Sequence, residues 1–316
     1  MRRLVAAAAA ILALGGVGAG CGLGPGRSAE GVSLTVTRDF GTRTLGSARE
    51  DRTRGGETVM RLLQRGFRVQ TRFGGGFVQS VNGLTGGIRG GRRLDWFFYV
   101  NGIESSQGAA SRRLHAGDRV WWDHHDWSAT MSVPAVVGSF PEPFRSGSEG
   151  RRLPVAVACA DSVDAACDEV TRRLEAVDVP VARAALAAPV GSETLRLLVG
   201  RWRDLRADRI AGRIGRGPGA SGVYARFDAS GGRLTVLDDR GRAVRELGPR
   251  TGLVAATRDR DSQPTWVVTG TDAGGVLAAA RALEEGALAD HFALAVAEGL
   301  AVPLPSPLRS PGTAGS

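Results

Sequence analysis

The segment LDWFFYVNGIESSQGAASRRLHAGDRVWWDHHDW, residues 94–127, decides how the first part of this chain folds. It contains two runs of mainly aromatic and apolar residues, 95–100 and 119–122, and aromatic residues favour β-strands. The first run ends in Asn101-Gly102 and the second follows Gly117-Asp118, and both dipeptides are typical of tight turns. The segment therefore predicts two β-strands with a turn region of small residues between them.

The first of these strands carries aromatic side chains on both faces. Side chains alternate along a strand, so Trp96, Phe98 and Val100 share one face, whereas Phe97 and Tyr99 share the other. We expect one face to cover a helix, and the other face then needs a partner of its own. A bound ligand, a second domain and another protein are the alternatives for that partner.

Three motifs in the first 130 residues are similar to those of a known family. They are a strand followed by Asp39-Phe40-Gly41, the segment FVQSVNGL at 77–84, and WFFYVNG at 96–102 followed by L-x-x-G-D-x-V-W at 114–121. Together they resemble the transcobalamin-like C-terminal domain, a β-grasp module of secreted vitamin-binding proteins and bacterial surface proteins. The resemblance implies an α+β, β-grasp-like N-terminal domain over residues 32–130.

In that family the module closes over a corrinoid that a separate helical domain holds, and this sequence shows no such helical barrel. The resemblance makes a corrinoid or a similar vitamin the candidate ligand. The matching positions and their aromatic and histidine neighbours give nine candidate ligand-binding residues: Phe77, Gln79, Asn82, Trp96, Tyr99, Asn101, Trp122, His124 and His125. Tight turns would explain the Asn-Gly pairs as well as ligand binding does, and packing in a core would equally explain the aromatic residues.

The segment Asp123-His124-His125-Asp126 is the sharpest candidate for a metal site. Adjacent residues of a strand point to opposite faces, so the two imidazoles are poorly placed to bind one ion together. We therefore assign no metal ligand and expect a surface-exposed strand end capped by Trp127. The chain also has no serine in a G-x-S-x-G motif, and we expect a non-catalytic protein without a cofactor.

The first 21 residues are organised like a bacterial lipoprotein signal. Arg2 and Arg3 precede an apolar segment, residues 4–17, which is too short for a comfortable membrane span, and small residues lead to Cys21. This pattern predicts a lipid on Cys21 and an extracytoplasmic protein anchored to the outer face of the cytoplasmic membrane. A secretory signal with an incidental cysteine is the alternative. Residues 22–31 are expected to be a flexible tether.

Cys159 and Cys167 then remain as a pair in an oxidising compartment. Cys159 ends an apolar run and Cys167 falls in the predicted helix that follows, so a disulfide would join a strand to a helix. A metal pair and a redox pair are the alternatives, but seven intervening residues do not fit C-x-x-C and no histidine cluster is near in sequence. We favour the disulfide.

The second half of the chain predicts a separate domain. We assign residues 131–152 as a linker rich in Pro, Ser and Gly, residues 153–302 as a three-layer α/β domain with a mixed sheet, and 303–316 as a disordered tail. Within the domain, helices are predicted at 202–214 and at 272–285, the latter capped by Thr271 or Asp272. The G-x-G-x-x-G letters at 217–222 follow a helix and precede a strand, the reverse of a dinucleotide site.

The chain carries 41 basic residues, all of them arginine, against 32 acidic ones, for a net charge of +9. The arginines are spread along the whole chain, whereas nucleic-acid binding requires a basic cluster on one face. We therefore expect no nucleic-acid partner.

These features predict a membrane-anchored extracytoplasmic lipoprotein that binds a small ligand, with a corrinoid as the candidate, and presents it to a membrane transporter. The alternative is a protein–protein interaction or envelope-scaffold lipoprotein that docks through its aromatic sheet face and has no small-molecule ligand.

Overall fold

The computed structural model describes residues 31–259 and 262–306. The predicted signal peptide, Cys21 and most of the predicted tether lie outside the described residues, so the lipidation of Cys21 stays a prediction. No helix among the described residues combines the length and the apolar character that crossing a bilayer requires.

Strands dominate residues 31–130, which we call the N-terminal unit. Its single described α-helix, α1, spans Val59–Gly66, and Thr58 caps it by accepting a hydrogen bond from the backbone N–H of Arg61. The strands are β1 (Val32–Arg38), β2 (Arg43–Glu50), β3 (Val69–Arg72), β4 (Phe77–Val81), β5 (Leu84–Thr85), β6 (Gly87–Arg89), β7 (Arg92–Val100), β8 (Ile103–Glu104) and β9 (Arg119–Asp126).

The main sheet of the N-terminal unit has the order β2-β1-β9-β7-β6, with β8 paired to β7. β1 runs parallel to β9, and the other pairs are antiparallel. The apolar side chains of α1 pack on one face of this sheet, together with Trp96 and Trp122. β3, β4 and β5 form a small separate sheet. Asn101 and Gly102 both have positive φ, 55° and 74°, as a tight hairpin turn requires.

The C-terminal unit comprises residues 131–306 without residues 260 and 261. Its helices are α2 (Asp164–Glu175), α3 (Trp202–Leu205), α4 (Pro218–Ser221), α5 (Ala273–Arg281) and α6 (Glu285–Leu288), and short 3₁₀ helices lie at Asp161–Val163 and Ala211–Arg216. Its strands are β10 (Val155–Cys159), β11 (Ala182–Ala185), β12 (Leu195–Arg201), β13 (Ala225–Phe227), β14 (Leu234–Leu237), β15 (Ala243–Leu247), β16 (Gly252–Thr257), β17 (Thr265–Gly270), β18 (Ala293–Ala297) and β19 (Leu300–Leu304).

A mixed seven-stranded sheet, ordered β11-β10-β12-β17-β16-β18-β19, forms the centre of the C-terminal unit. The strands from β11 to β17 are parallel, whereas β16, β18 and β19 are joined antiparallel. α2 and α5 pack on one face. The other face is covered by the small sheet β13-β14-β15 and by side chains of the N-terminal unit. The expectation of a mixed α and β chain with a mixed sheet is confirmed.

Three predicted elements have different bounds in the structure. The helix expected over 272–285 ends at Arg281, and a separate short helix begins at Glu285. The helix expected over 202–214 ends at Leu205, because the carboxylate of Asp208 accepts hydrogen bonds from the backbone N–H groups of Ile210 and Ala211 and starts a new turn there. Residues 303 and 304, assigned to a disordered tail, instead pair with β18 as the end of β19.

The segment assigned as a linker packs between the two units. Val136, Val137, Phe140 and Phe144 are fully buried. The backbone N–H of Val136 donates to the carbonyl of Gly102 in the N-terminal unit, at 2.8 Å. The segment therefore contributes core side chains as well as a connection.

The predicted disulfide is confirmed. Cys159 at the end of β10 is bonded to Cys167 in α2, and their Cα atoms are 6.1 Å apart. The bridge joins a strand of the central sheet to the helix that covers it, as the sequence predicted.

Candidate functional site

The second aromatic face of the main N-terminal sheet is covered by the C-terminal unit. The ring of Phe292 lies 5.1 Å from that of Trp121 and 5.6 Å from that of Tyr99. Phe40 contacts Tyr224 in the same way, at 5.1 Å. Of the three alternatives for this face, the structure shows the second domain.

A buried carboxylate organises this interface. Asp123 accepts hydrogen bonds from the hydroxyl of Thr37 and from the backbone N–H groups of Phe40 and Gly41, at 3.0 and 2.9 Å. Nδ1 of His125 lies 2.8 Å from Oδ1 of the same carboxylate. Since a carboxylate only accepts, the four groups all donate to it. The network fixes the turn after β1 against β9.

The imidazole of His125 is closed in by aromatic rings. It stacks on Phe97 at 4.4 Å and on Phe40 at 4.5 Å, and the edge of Phe292 lies 5.4 Å away. The expectation of a surface-exposed strand end is wrong, because residues 123–126 are all buried: His125 is only 3% exposed and Asp123 is 0% exposed. Although the pair has the composition of an acid–base dyad, both of its members are part of the packing between the units.

Trp96, Trp122 and His124 point to the opposite, helix-covered face. The indole N–H of Trp96 donates to the carbonyl of Leu84 at 3.0 Å. The ring of His124 lies 5.0 Å from that of Trp96. Burial lowers the pKa of His124, against a hydrogen bond with the Thr85 backbone that raises it. As predicted, adjacent His124 and His125 face opposite sides of the sheet.

The remaining predicted ligand residues lie at turns or on the small sheet. Asn82 accepts from the backbone N–H of Arg68 at 2.9 Å, and Asn101 donates to the carboxylate of Asp118 at 2.8 Å. Phe77 and Gln79 belong to β4. Tyr99 is fully buried, and burial with the nearby charges of Glu104 and Asp123 raises the pKa of its hydroxyl. The nine predicted residues therefore do not converge on one cavity.

A cleft of about 690 Å³ opens between the two units instead. Arg93, Glu104 and Trp127 contribute to its wall from the N-terminal unit. The opposite wall contains Arg213, Arg258 and residues 219–222. None of the nine predicted ligand residues belongs to the lining of this cleft in the part of the chain that the structure describes.

Stacking and hydrogen bonds position the N-terminal wall. The guanidinium of Arg93 lies 5.2 Å from the ring centre of Trp127, a cation–π contact. The hydroxyl of Ser132 donates to the carboxylate of Glu104. Burial raises the pKa of Glu104, whereas the Ser132 hydrogen bond and the charges of His125 and Arg258 lower it, and the net direction is upward.

The two arginines of the C-terminal wall are held by backbone carbonyls. Arg258 donates to the carbonyl of Glu104 across the cleft at 2.8 Å, and Arg213 donates to the carbonyl of Ala220 at 2.8 Å. Arg213 also pairs with Asp259 at 2.7 Å. Guanidinium groups bind carboxylates and phosphates, and an aromatic ring gives a flat apolar surface. The arrangement can therefore hold an organic molecule that carries an anionic group.

Sequence reasoning did not identify this cleft. The G-x-G-x-x-G letters at 217–222 were one signal, since residues 219–222 line the wall. Their position before a strand argued against a dinucleotide site. In the structure a strand, β13, does follow them. Arg93 and Arg258 are far apart in sequence and carry no local signal. Among the described residues, no group of three or more histidine, cysteine, aspartate or glutamate side chains is placed to hold a metal ion.

Comparisons with known proteins give a family match within the N-terminal unit and matches to 11 solved chains. No curated protein matches the chain. The crystal structure of a "putative metal binding protein" from Ruminococcus gnavus ATCC 29149 is 14% identical, covers 31% of this chain and 97% of its own, and has a TM-score of 0.26, which is too low to support an argument. Residues 56–126, from just before α1 to the end of β9, match the family described as "Domain of unknown function (DUF4430)", which is associated with transcobalamin-like proteins.

Proposed function

We propose that this protein is a non-catalytic, membrane-anchored extracytoplasmic lipoprotein that binds a small ligand and presents it to a membrane transporter. The observation that carries the proposal is the cleft of about 690 Å³ between the two units. Pockets for small molecules measure roughly 300–1,000 Å³ and are common at domain interfaces. The cleft has the size and position of such a site.

The walls of the cleft support an organic ligand with an anionic group. Trp127 offers a flat ring, and the lining contains three arginines, Arg93, Arg213 and Arg258, against one carboxylate, that of Glu104. A corrinoid is the candidate that the resemblance implies. The closed environment of the Asp123–His125 pair supports the non-catalytic part of the proposal, because a general base must reach the proton that it abstracts.

We further infer that residues 32–130 form a β-grasp domain of the transcobalamin-like type. In support, the parallel strands β1 and β9 are neighbours inside the sheet. β2 lies on the outer side of β1, β7 and β6 lie beyond β9, and α1 packs on one face. The family match over residues 56–126 supports the same assignment.

Docking through the aromatic sheet face is not favoured as a second function. Tyr99 and Trp121 on that face are 0% and 3% exposed, because the C-terminal unit covers them. A partner could contact this face only after the two units separate.

Titration of the purified full chain with cobalamin and its precursors, followed by absorbance and tryptophan fluorescence, tests the corrinoid version. We expect binding at micromolar concentrations or below, and we expect Trp127→Ala to weaken it at least tenfold. Phe73→Ala, an aromatic truncation outside the cleft, should leave the affinity unchanged. Absence of a spectral change at micromolar corrinoid excludes this ligand class.

A thermal-shift screen with small organic acids and sugar phosphates tests ligand binding apart from corrinoids. A ligand at 100 times its Kd raises the free energy of unfolding by about 2.7 kcal/mol. Stabilisation that Trp127→Ala abolishes supports a ligand in the cleft. A screen in which no compound stabilises the chain contradicts the small-ligand function.

A further inference from the structure

A long basic segment of the N-terminal unit exposes two phenylalanine rings. Residues 58–94 contain seven arginines and no acidic residue. Within this segment the β3-β4 hairpin presents Phe73, 86% exposed, and Phe77, 37% exposed. Their rings are 6.4 Å apart in an edge-to-face arrangement. We call this hairpin, residues 69–81, the aromatic hairpin.

The backbone of the aromatic hairpin holds Phe73 outward. Phe73 begins a 3₁₀ turn, Phe73–Gly75, with a φ of 51°, and such a conformation is rare for a bulky side chain. The same turn continues through Gly75, whose φ is 92°. An exposed aromatic side chain on a strained backbone is not explained by packing, because it contributes little to the core of the unit.

Some arginines of this basic segment form no ion pair with a carboxylate. Arg65 pairs with Glu50 and Glu57. By contrast, no carboxylate of the described residues forms an ion pair with Arg68, Arg72 or Arg89. Arg72 lies directly opposite Phe77 in the β3-β4 ladder. The hairpin therefore combines apolar rings with positive charge that no carboxylate in the described part of the chain neutralises.

We propose that the aromatic hairpin docks on an anionic lipid surface, with Phe73 and Phe77 in the interfacial layer and Arg68 and Arg72 against the headgroups. Charge complementarity selects this occupant, because anionic lipid gives roughly a fivefold gain in binding per nearby basic residue. Two exposed rings are too few for a stable protein interface, which buries about 1,200 Å² or more. Phenylalanine is also among the side chains that interfacial segments bury at the boundary between headgroups and acyl chains. The inference does not depend on a ligand in the cleft.

Hydrogen exchange on vesicle-associated protein tests the proposal. The full chain is mixed with vesicles of phosphatidylcholine alone or with one third phosphatidylglycerol, and amide exchange is measured in the peptide that covers residues 72–78. We expect exchange at least fivefold slower on the anionic vesicles. Phe73→Ser combined with Phe77→Ser should abolish this difference, and Arg72→Gln should reduce it severalfold. Leu300→Ser, a matched change at a 62% exposed apolar residue of β19, should not alter it.

A salt series provides a readout without any variant. Since surface electrostatics are screened within about 10 Å at 0.1 M salt and about 3 Å at 1 M, 1 M sodium chloride should remove most of the protection in the wild-type chain. Equal exchange on the two vesicle types overturns the proposal, as does protection that Leu300→Ser also removes. Protection that requires an added envelope protein likewise overturns it in favour of protein docking.

Discussion

Nδ1 of His125 lies 2.8 Å from Oδ1 of Asp123, and both side chains are buried where the first sheet meets the C-terminal unit. The same carboxylate binds the hydroxyl of Thr37 and the backbone N–H groups of Phe40 and Gly41. One acceptor thus connects β1, the turn after it, and β9. Asp123, which belongs to the segment that the sequence marked as a candidate site, instead joins three segments of the N-terminal unit.

Asp123→Asn should destabilise the protein by roughly 2–4 kcal/mol, because the amide keeps the shape but replaces an acceptor with a donor among buried donors. Urea unfolding followed by tryptophan fluorescence measures the change in the free energy of unfolding. Asp51→Asn, the same change at an exposed position, should have an effect below about 0.5 kcal/mol. Equal stability of the two variants would show that the network contributes little.

Gly222→Ala should destabilise the protein by more than about 2 kcal/mol. Gly222 has a φ of 76°, and a Cβ there would meet Pro134 and Val133 at 2.8 Å in the wall of the cleft. Both the backbone conformation and the collision oppose the change. The control is Gly286→Ala in α6, where a Cβ has open space and the helix gains up to about 1 kcal/mol. Thermal unfolding of the two variants should shift in opposite directions.

Reduction of the Cys159–Cys167 bridge should cost about 2–3 kcal/mol of stability, since the bridge closes a short loop with a sequence separation of 8. Chemical unfolding with and without dithiothreitol measures the difference. In the double variant Cys159→Ala and Cys167→Ala, dithiothreitol should have no effect. A wild-type chain that is indifferent to dithiothreitol contradicts a stabilising role for the bridge.

The contribution of two buried histidines to stability should fall as the pH drops below about 6.5. Burial lowers the pKa of His124 and of His291 from the ordinary value of 6.5. Between each lowered pKa and 6.5 the unfolded chain binds more protons than the folded one, so protons favour unfolding. Each histidine contributes at most about 1.4 kcal/mol per pH unit within that window.

Urea unfolding at pH 7.5 and pH 5.5 measures this pH dependence. His124→Phe keeps an aromatic ring against Trp96 and removes the titrating group, so it should make the pH dependence smaller. His115→Gln, at a histidine whose side chain is 41% exposed, serves as the control. A pH dependence that His124→Phe leaves unchanged would contradict the assignment of this effect to His124.

Features that depend on a few neighbouring residues were predictable from the sequence. The Asn101-Gly102 turn follows from the positive φ values that these residue types tolerate. Asp272 caps α5 by accepting from the backbone N–H of Gly275 at 2.8 Å, as a cap residue at that position should. The strand alternation that separates Trp96 from Tyr99, and the Cys159–Cys167 bridge, are likewise local properties.

The candidate site depended on contacts between segments that are distant in the chain. Composition alone could not show whether a ligand, a second domain or another protein covers Tyr99, because each would bury the same aromatic surface. The cleft exists because the two units pack at one relative position, which brings Arg93 and Arg258 to opposite walls. The sequence by itself determined which strands are aromatic on both faces and where the chain turns. Only the tertiary structure decided which face is closed and where a ligand has room, because these properties depend on how the two units pack together.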